Sequence, residues 1–158
     1  MKIAVGSDHR GFEAKEQIKA IVTQLGHQCI DVGTNNTNPV DYPDQAYLAA
    51  TAVSKKEADR AILVCGTGLG MSIAANKIKG IRAALCHDEF SAQISRHHND
   101  ANVLCISGDL TGEVLLKKIV EVWLNTEFGS GRHLRRVNKI TAIEEGKDPR
   151  SISNNNSK

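Results

Sequence analysis

Residues 60–65 read RAILVC and run straight into GTGLG at 66–70. An apolar stretch of that length, with no alternation of polar residues, is the pattern of a strand covered on both faces. It predicts the central strand of a sheet, closed by a glycine-rich turn into a helix. Working outward, residues 2–7 (KIAVGS) predict a first strand. Residues 12–25 then show helical spacing, with Ile18, Ile21, Val22 and Leu25 on one face and Gly26 as the stop. Residues 28–32 predict a second strand. A loop follows over 33–44, where Pro39 and Pro43 argue against regular structure, and then a helix over 45–55. Beyond the glycine turn, helices are expected over 72–78, 89–97 and 112–125, with strands over 81–86 and 103–107. A short helix over 141–146 ends the pattern.

Strands alternating with helices require crossover connections and a parallel sheet. The expectation is an α/β fold of three αβα layers around a five-stranded, parallel, Rossmann-like sheet. Residues 1–146 make a single domain, without linker or repeat, and the polar residues 147–158 form a tail expected to fray.

The composition supports an ordinary globular chain. Of 158 residues, 41% are hydrophobic and 24% charged, and 20 Lys+Arg against 18 Asp+Glu leave a net charge of +2. So small an excess carries no general nucleic-acid footprint, and 4% aromatic residues argue against base-stacking platforms. No apolar run is long enough to span a bilayer, and the first one ends at Asp8, too early for a signal peptide. A cytoplasmic protein is expected. Cys29, Cys65, Cys86 and Cys105 are scattered, with no CxxC pair, which is the pattern of reduced thiols and not of a disulfide framework. Cys29, Cys86 and Cys105 are read as small core residues.

In open α/β sheets ligands bind beyond the carboxyl ends of the strands. Those ends carry Ser7, Asp8, His9 and Arg10 after the first strand, and Cys65 with Gly66, Thr67, Gly68, Leu69 and Gly70 after the third. His87, Asp88 and Glu89 follow the fourth, and Gly108 and Asp109 the fifth. Successive N–H groups of the glycine turn suit a phosphate or an oxyanion, although the glycines alone fit a ligand-free turn equally well. The turn is neither a dinucleotide fingerprint, which would need glycine where Met71 stands, nor a Walker A loop. A thiol there could serve as base or nucleophile, or simply fill the core. His97 and His98 are adjacent but lack HxxxH or HxH spacing, so a single acid/base histidine is favoured over a metal site. Arg132, His133, Arg135, Arg136 and Lys139 form a basic cluster; on a helix the arginines and Lys139 would share one face, and the cluster could clamp a phosphate or form a solvated strip.

Taken together, IAVGSDHRGFEAK, DVGT with VDYPD, CGTGLGMSIAANKIKGIRAAL, SAQISRHHNDANVL and GRHLRRVNKI resemble the ribose-5-phosphate isomerase B family. That family also includes galactose-6-phosphate and allose-6-phosphate isomerases, and the resemblance spans about residues 1–145. It implies an aldose–ketose isomerase working through an enediol(ate), with no metal and no redox cofactor. Cys65 matches the family's base, with Thr67 placed to bond the thiolate. The amides of Gly66, Thr67, Gly68, Leu69 and Gly70 would stabilise the oxyanion. His98 matches the ring-opening acid/base, with Asp8 close by. His9, Arg132 and Arg136 match phosphate-binding positions, and Tyr42 and Asn99 match positions that hold substrate hydroxyls. The resemblance further implies a homodimer or homotetramer with active sites at the subunit boundary, and no nucleic-acid or membrane partner.

One position departs from the pattern. The family often carries an arginine shortly after the fifth strand, at the phosphate site, where this chain has Asp109. A carboxylate beside a dianion is unfavourable unless it turns away or pairs with an arginine such as Arg132 or Arg136. The sequence therefore leaves several substrates open: ribose 5-phosphate, a hexose 6-phosphate or a free sugar. A non-catalytic sugar-phosphate binding subunit, or a phosphatase or transferase using Cys65 as nucleophile, are the readings from other classes. The last lacks an arginine to close the loop after Cys65.

Overall fold

The computed structural model describes residues 1–152. Five parallel strands lie in the order β2-β1-β3-β5-β4. They are β1 (Lys2–Ser7), β2 (Gln28–Asp31), β3 (Arg60–Cys65), β4 (Ala83–Leu85) and β5 (Val103–Ser107). The expected central strand is β3, paired with β1 on one side and β5 on the other. The helices are α1 (Phe12–Gln24), α2 (Tyr42–Ser54), α3 (Leu69–Ala75), α4 (Glu89–Asn99), α5 (Glu113–Asn125) and α6 (Arg132–Glu144).

The two-residue period of the strands sorts the core into two layers. Ile3, Val5, Ile62, Val64, Leu104 and Ile106 face α1 and α5, where Ile18, Val22, Ile119 and Trp123 complete the cluster. Ala4, Ala61, Leu63, Cys65, Val103 and Cys105 face α2 and α3. Alanines 46, 49 and 50 let α2 lie close to that face. Each fully buried branched side chain contributes about 1.5–3 kcal/mol, which is why the unbroken apolar run AILVC at 61–65 is compatible only with the middle of the sheet.

Several boundaries differ from the expectation, each for a local reason. The helix expected from residue 45 begins at Tyr42, because Pro43 sits in its first turn, where a missing N–H costs no hydrogen bond. The α3 helix starts at Leu69 and takes in Gly70, and α4 runs on to Asn99, so that His98 and Asn99 are helical. The largest difference is α6. A helix was expected only over 141–146, which overlaps its last turn, since the charged run Arg132–Lys139 dilutes the apolar signal, yet the helix begins at Arg132 and ends at Glu144. The tail expected to fray from residue 147 makes a 3₁₀ turn over Pro149–Ser151, capped by Asp148 and in contact with α6. The rest of the tail, residues 153–158, falls outside the described residues.

The strand order locates the site. The α1 crossover carries the chain from β1 to β2 on one side, whereas α2 carries it from β2 across to β3 on the other. The crevice where connections diverge, between the carboxyl ends of β1 and β3, is where open α/β sheets take ligands. Asp8 and Cys65 flank it.

Candidate active site

Cys65 ends β3 with its side chain on the α2/α3 face and is only 4% exposed. The chain then turns sharply: Gly68 takes φ +76°, a left-handed conformation that glycine adopts without strain. This turns the Gly68 N–H back onto Cys65 Sγ at 3.1 Å. The expected bond from Thr67 to the sulfur is replaced by that amide. Thr67 Oγ1 instead accepts from the Leu69 N–H at 3.4 Å, and its side chain is exposed. The turn is stitched to β5, where Ser107 Oγ donates to the Gly66 carbonyl at 2.6 Å and the Gly108 N–H donates to the Cys65 carbonyl at 2.8 Å. The α3 helix is short, so its single N–H groups matter here more than any helix dipole. Burial pushes the thiols of Cys29, Cys86 and Cys105 up, in keeping with core roles.

A cleft of about 290 Å³ opens above this turn. Cys65, Gly66, Thr67 and Gly70 form its floor, Asp8 and Arg10 come from the loop after β1, Tyr42 from α2 and Asp109 from the end of β5. Asp8 is buried, and its Oδ1 accepts from the N–H groups of Arg10 and Gly11, each at 3.0 Å. Tyr42 packs against Gly70, where a Cβ would lie 2.6 Å from the ring. His9 Nδ1 accepts from the Val40 N–H at 3.2 Å, so the neutral ring carries its hydrogen on Nε2. Asp109 pairs with Arg10, and not with Arg132 or Arg136, the partners that sequence reasoning offered it.

The remaining expected residues lie elsewhere. A crossover helix runs back along its strands, so the end of α4 sits at the opposite end of the sheet from Cys65. His98 and Asn99 are there, and Asn99 lines a separate hollow with Arg82 and Ile140. The start of α6 meets them: the His98 and His133 rings stack with centroids 4.1 Å apart, and His97 lies edge-on to His133 at 5.6 Å. Arg132 and Arg136 stand close enough to add to the effect of burial in lowering the pKa of His133. One chain thus carries two separate clusters: the thiol cleft at one end of the sheet, and imidazoles with guanidinium groups at the other.

Two residues were named from the sequence without a role of their own. Arg10 was noted only as following β1, and its place beside Asp8-His9 at a strand end was the available signal. His133 was read only as one member of the basic cluster. The ligating atoms of His97, His98 and His133 lie within 4.8 Å of one another. Two stacked imidazoles nevertheless aim their in-plane lone pairs along parallel planes, and two arginines nearby repel a cation. The cluster suits an anion better than a metal.

With the fold and the cleft described, comparison with known proteins identifies the family. The family model described as Ribose/Galactose Isomerase matches residues 3–140. The chain belongs to this family. Ribose-5-phosphate isomerase B of Escherichia coli (strain K12) is 49% identical over 144 residues, covering 91% of this chain and 97% of that protein. Ribose-5-phosphate isomerase B of Clostridium thermocellum superposes with a TM-score of 0.91 at 49% identity, covering 92% of this chain and 99% of the other. Ribose-5-phosphate isomerase B from Mycoplasma genitalium, solved with bound ribulose-5-phosphate, gives a TM-score of 0.88 at 40% identity, with 91% and 96% covered. The family's fold is the α/β sheet described above. Among the described residues no helix is long and apolar enough to cross a membrane.

Proposed function

We propose that the protein interconverts ribose 5-phosphate and ribulose 5-phosphate through an enediolate, with Cys65 as the base. The observation that carries this reading is the Cys65 sulfur on the floor of an open cleft, held by the Gly68 N–H. A thiolate there takes the proton from C2 and returns it to C1. The N–H groups of Thr67 and Gly70 have no acceptor among the described residues and are available to the developing oxyanion. Asp8 and Tyr42 line the same cleft and hold sugar hydroxyls, with His9 beside it for the phosphate.

A second copy of the chain supplies His98 for ring opening, Asn99 for a hydroxyl, and Arg132 and Arg136 for the phosphate. Two features support this arrangement. The two clusters lie at opposite ends of one sheet and cannot meet within a chain. Large apolar side chains stay exposed on α2 and α3 (Tyr47, Leu48, Leu69, Ile73) and on α6 (Leu134, Ile140, Ile143). The step needs no redox cofactor, because C1 and C2 exchange oxidation levels within the sugar.

Incubation with a panel of pentose and hexose phosphates, with free sugars alongside, tests the reading by ketose formation. Cys65→Ala should lower turnover on the best substrate by about 10²–10⁴ while the fold persists. Near-normal turnover in that variant would reject Cys65 as the base, and release of free phosphate would favour phosphoryl chemistry instead.

A further inference from the structure

Arg10 has no part in the chemistry assigned above, yet among the described residues it is the one cation lining the Cys65 cleft. Its side chain is 61% exposed and still well placed. Nη2 donates to Asp109, and Nε lies 2.8 Å from where a Cβ on Gly66 would stand. The guanidinium therefore crosses space that Gly66 leaves empty. Both ends of the pair are anchored by backbone bonds. The Arg10 N–H donates to Asp8 Oδ1 at 3.0 Å, and the Asp109 N–H donates to the Gly66 carbonyl at 3.2 Å. A guanidinium carries five N–H donors, of which Asp109 takes one, and no other acceptor among the described residues receives the rest.

The depth of the cleft decides what those donors meet. Cys65 is buried on its floor and Arg10 is exposed at its mouth. A sugar phosphate with C1 and C2 at the sulfur extends its phosphoryl group toward the mouth. A lone carboxylate at position 109 would repel that dianion, whereas a carboxylate bonded to Arg10 aims the cation at it.

We infer that Arg10, aimed by Asp109, binds the phosphoryl end of the substrate and makes the cleft selective for phosphorylated sugars. This rests on the isomerase reading above. Arg10 is a binding residue and Asp109 a positioning residue. The pair also explains how a carboxylate is tolerated at position 109.

The test measures kcat and KM for ribose 5-phosphate and the inhibition constant of inorganic phosphate. Arg10→Ala should raise both KM and the phosphate inhibition constant by about tenfold or more, with kcat within about threefold. Arg10→Lys should recover part of the loss, as a point charge without the planar fork. Arg10→Asp should be worse than Arg10→Ala, and the Arg10→Asp/Asp109→Arg double variant should regain affinity by moving the cation across Gly66. Three results would overturn the inference: no change in either constant, a fall in kcat at constant KM, or a raised KM with phosphate inhibition intact. The second would place Arg10 at the reacting atoms and the third would make it structural. Calorimetric titration of inorganic phosphate into wild type and Arg10→Ala needs no turnover. If ribose 5-phosphate gives no ketose with wild type, the isomerase reading fails, and tighter phosphate binding by wild type still supports the role of Arg10.

Discussion

Replacing Gly68 with alanine adds one methyl group at the tightest point of the Cys65 turn. The residue sits at φ +76°, and a left-handed conformation costs a residue with a Cβ about 1–2 kcal/mol. The new Cβ would lie 2.5 Å from Leu85 Cδ1 and 3.0 Å from the carbonyl carbon of Ile106. Leu85 can turn aside, but the Ile106 backbone is fixed in β5, and such overpacking adds about 1–3 kcal/mol. The sum, about 2–5 kcal/mol, is a large share of a stability of roughly 5–15 kcal/mol, so the variant stays folded with a lower urea midpoint. To relieve the clash the turn must shift, and the Gly68 N–H moves away from Cys65 Sγ. A hydrogen bond to a charged acceptor contributes about 1.5–3 kcal/mol, so kcat should fall by about 10- to 150-fold. Gly80→Ala is the control: its φ is +80° with nothing within 4 Å of the added Cβ. It should lose only the backbone term and no kcat. Urea unfolding followed by circular dichroism, and initial rates of ketose formation, read the two effects. If Gly68→Ala keeps kcat within about threefold despite the stability loss, the amide does not support the thiolate. If Gly68→Ala and Gly80→Ala are equally stable, the steric argument is wrong.

A shared site can be tested by mixing. Cys65→Ala and His98→Asn homo-oligomers should each be nearly inactive, while subunit exchange between them restores about a quarter of the sites of a dimer; no recovery in the exchanged, assayed mixture would place both residues in one chain's site. Iodoacetamide should label Cys65 first, with loss of activity, because it alone among the cysteines lines the cleft, and peptide mass spectrometry finding Cys29, Cys86 or Cys105 modified first would contradict this. Lys15 is fully buried, with its ammonium 2.7 Å from Asp31, which Lys19 also bonds. Burial pushes the Asp31 carboxyl up, but the bonds from Lys15, Lys19 and the Gly33 N–H outweigh it and hold it below the usual value. A depressed carboxylate contributes stability that is present above its unfolded value near about pH 4 and is lost as pH falls through the folded value. Lys15 and Lys19 keep Glu16 as a partner, so Asp31→Asn should cost about 1–3 kcal/mol at neutral pH and flatten the acid limb of the stability profile; an unchanged acid limb in urea melts would refute this.

The sequence by itself determined the layered fold and most of the lining of the Cys65 cleft. The β3 run RAILVC, its glycine turn, and the strands at Lys2–Ser7 and Val103–Ser107 were legible because burial on both faces leaves no freedom for polar residues. Cys65, Asp8, Thr67 and Asp109 were legible because a parallel sheet puts its strand ends on one rim. Helix boundaries were less so, since Pro43 in a first turn and the charged start of α6 look like breaks when no packing partner is visible. Only the tertiary structure decided that His98 lies at the far end of the sheet from Cys65, because helix direction, and not proximity in sequence, sets that distance. It also decided that His133 stacks on His98, and that Asp109 pairs with Arg10 across a sequence separation of 99 residues. Such side-chain meetings depend on which strands the crossovers bring side by side, and local patterns of hydrophobicity carry no record of it.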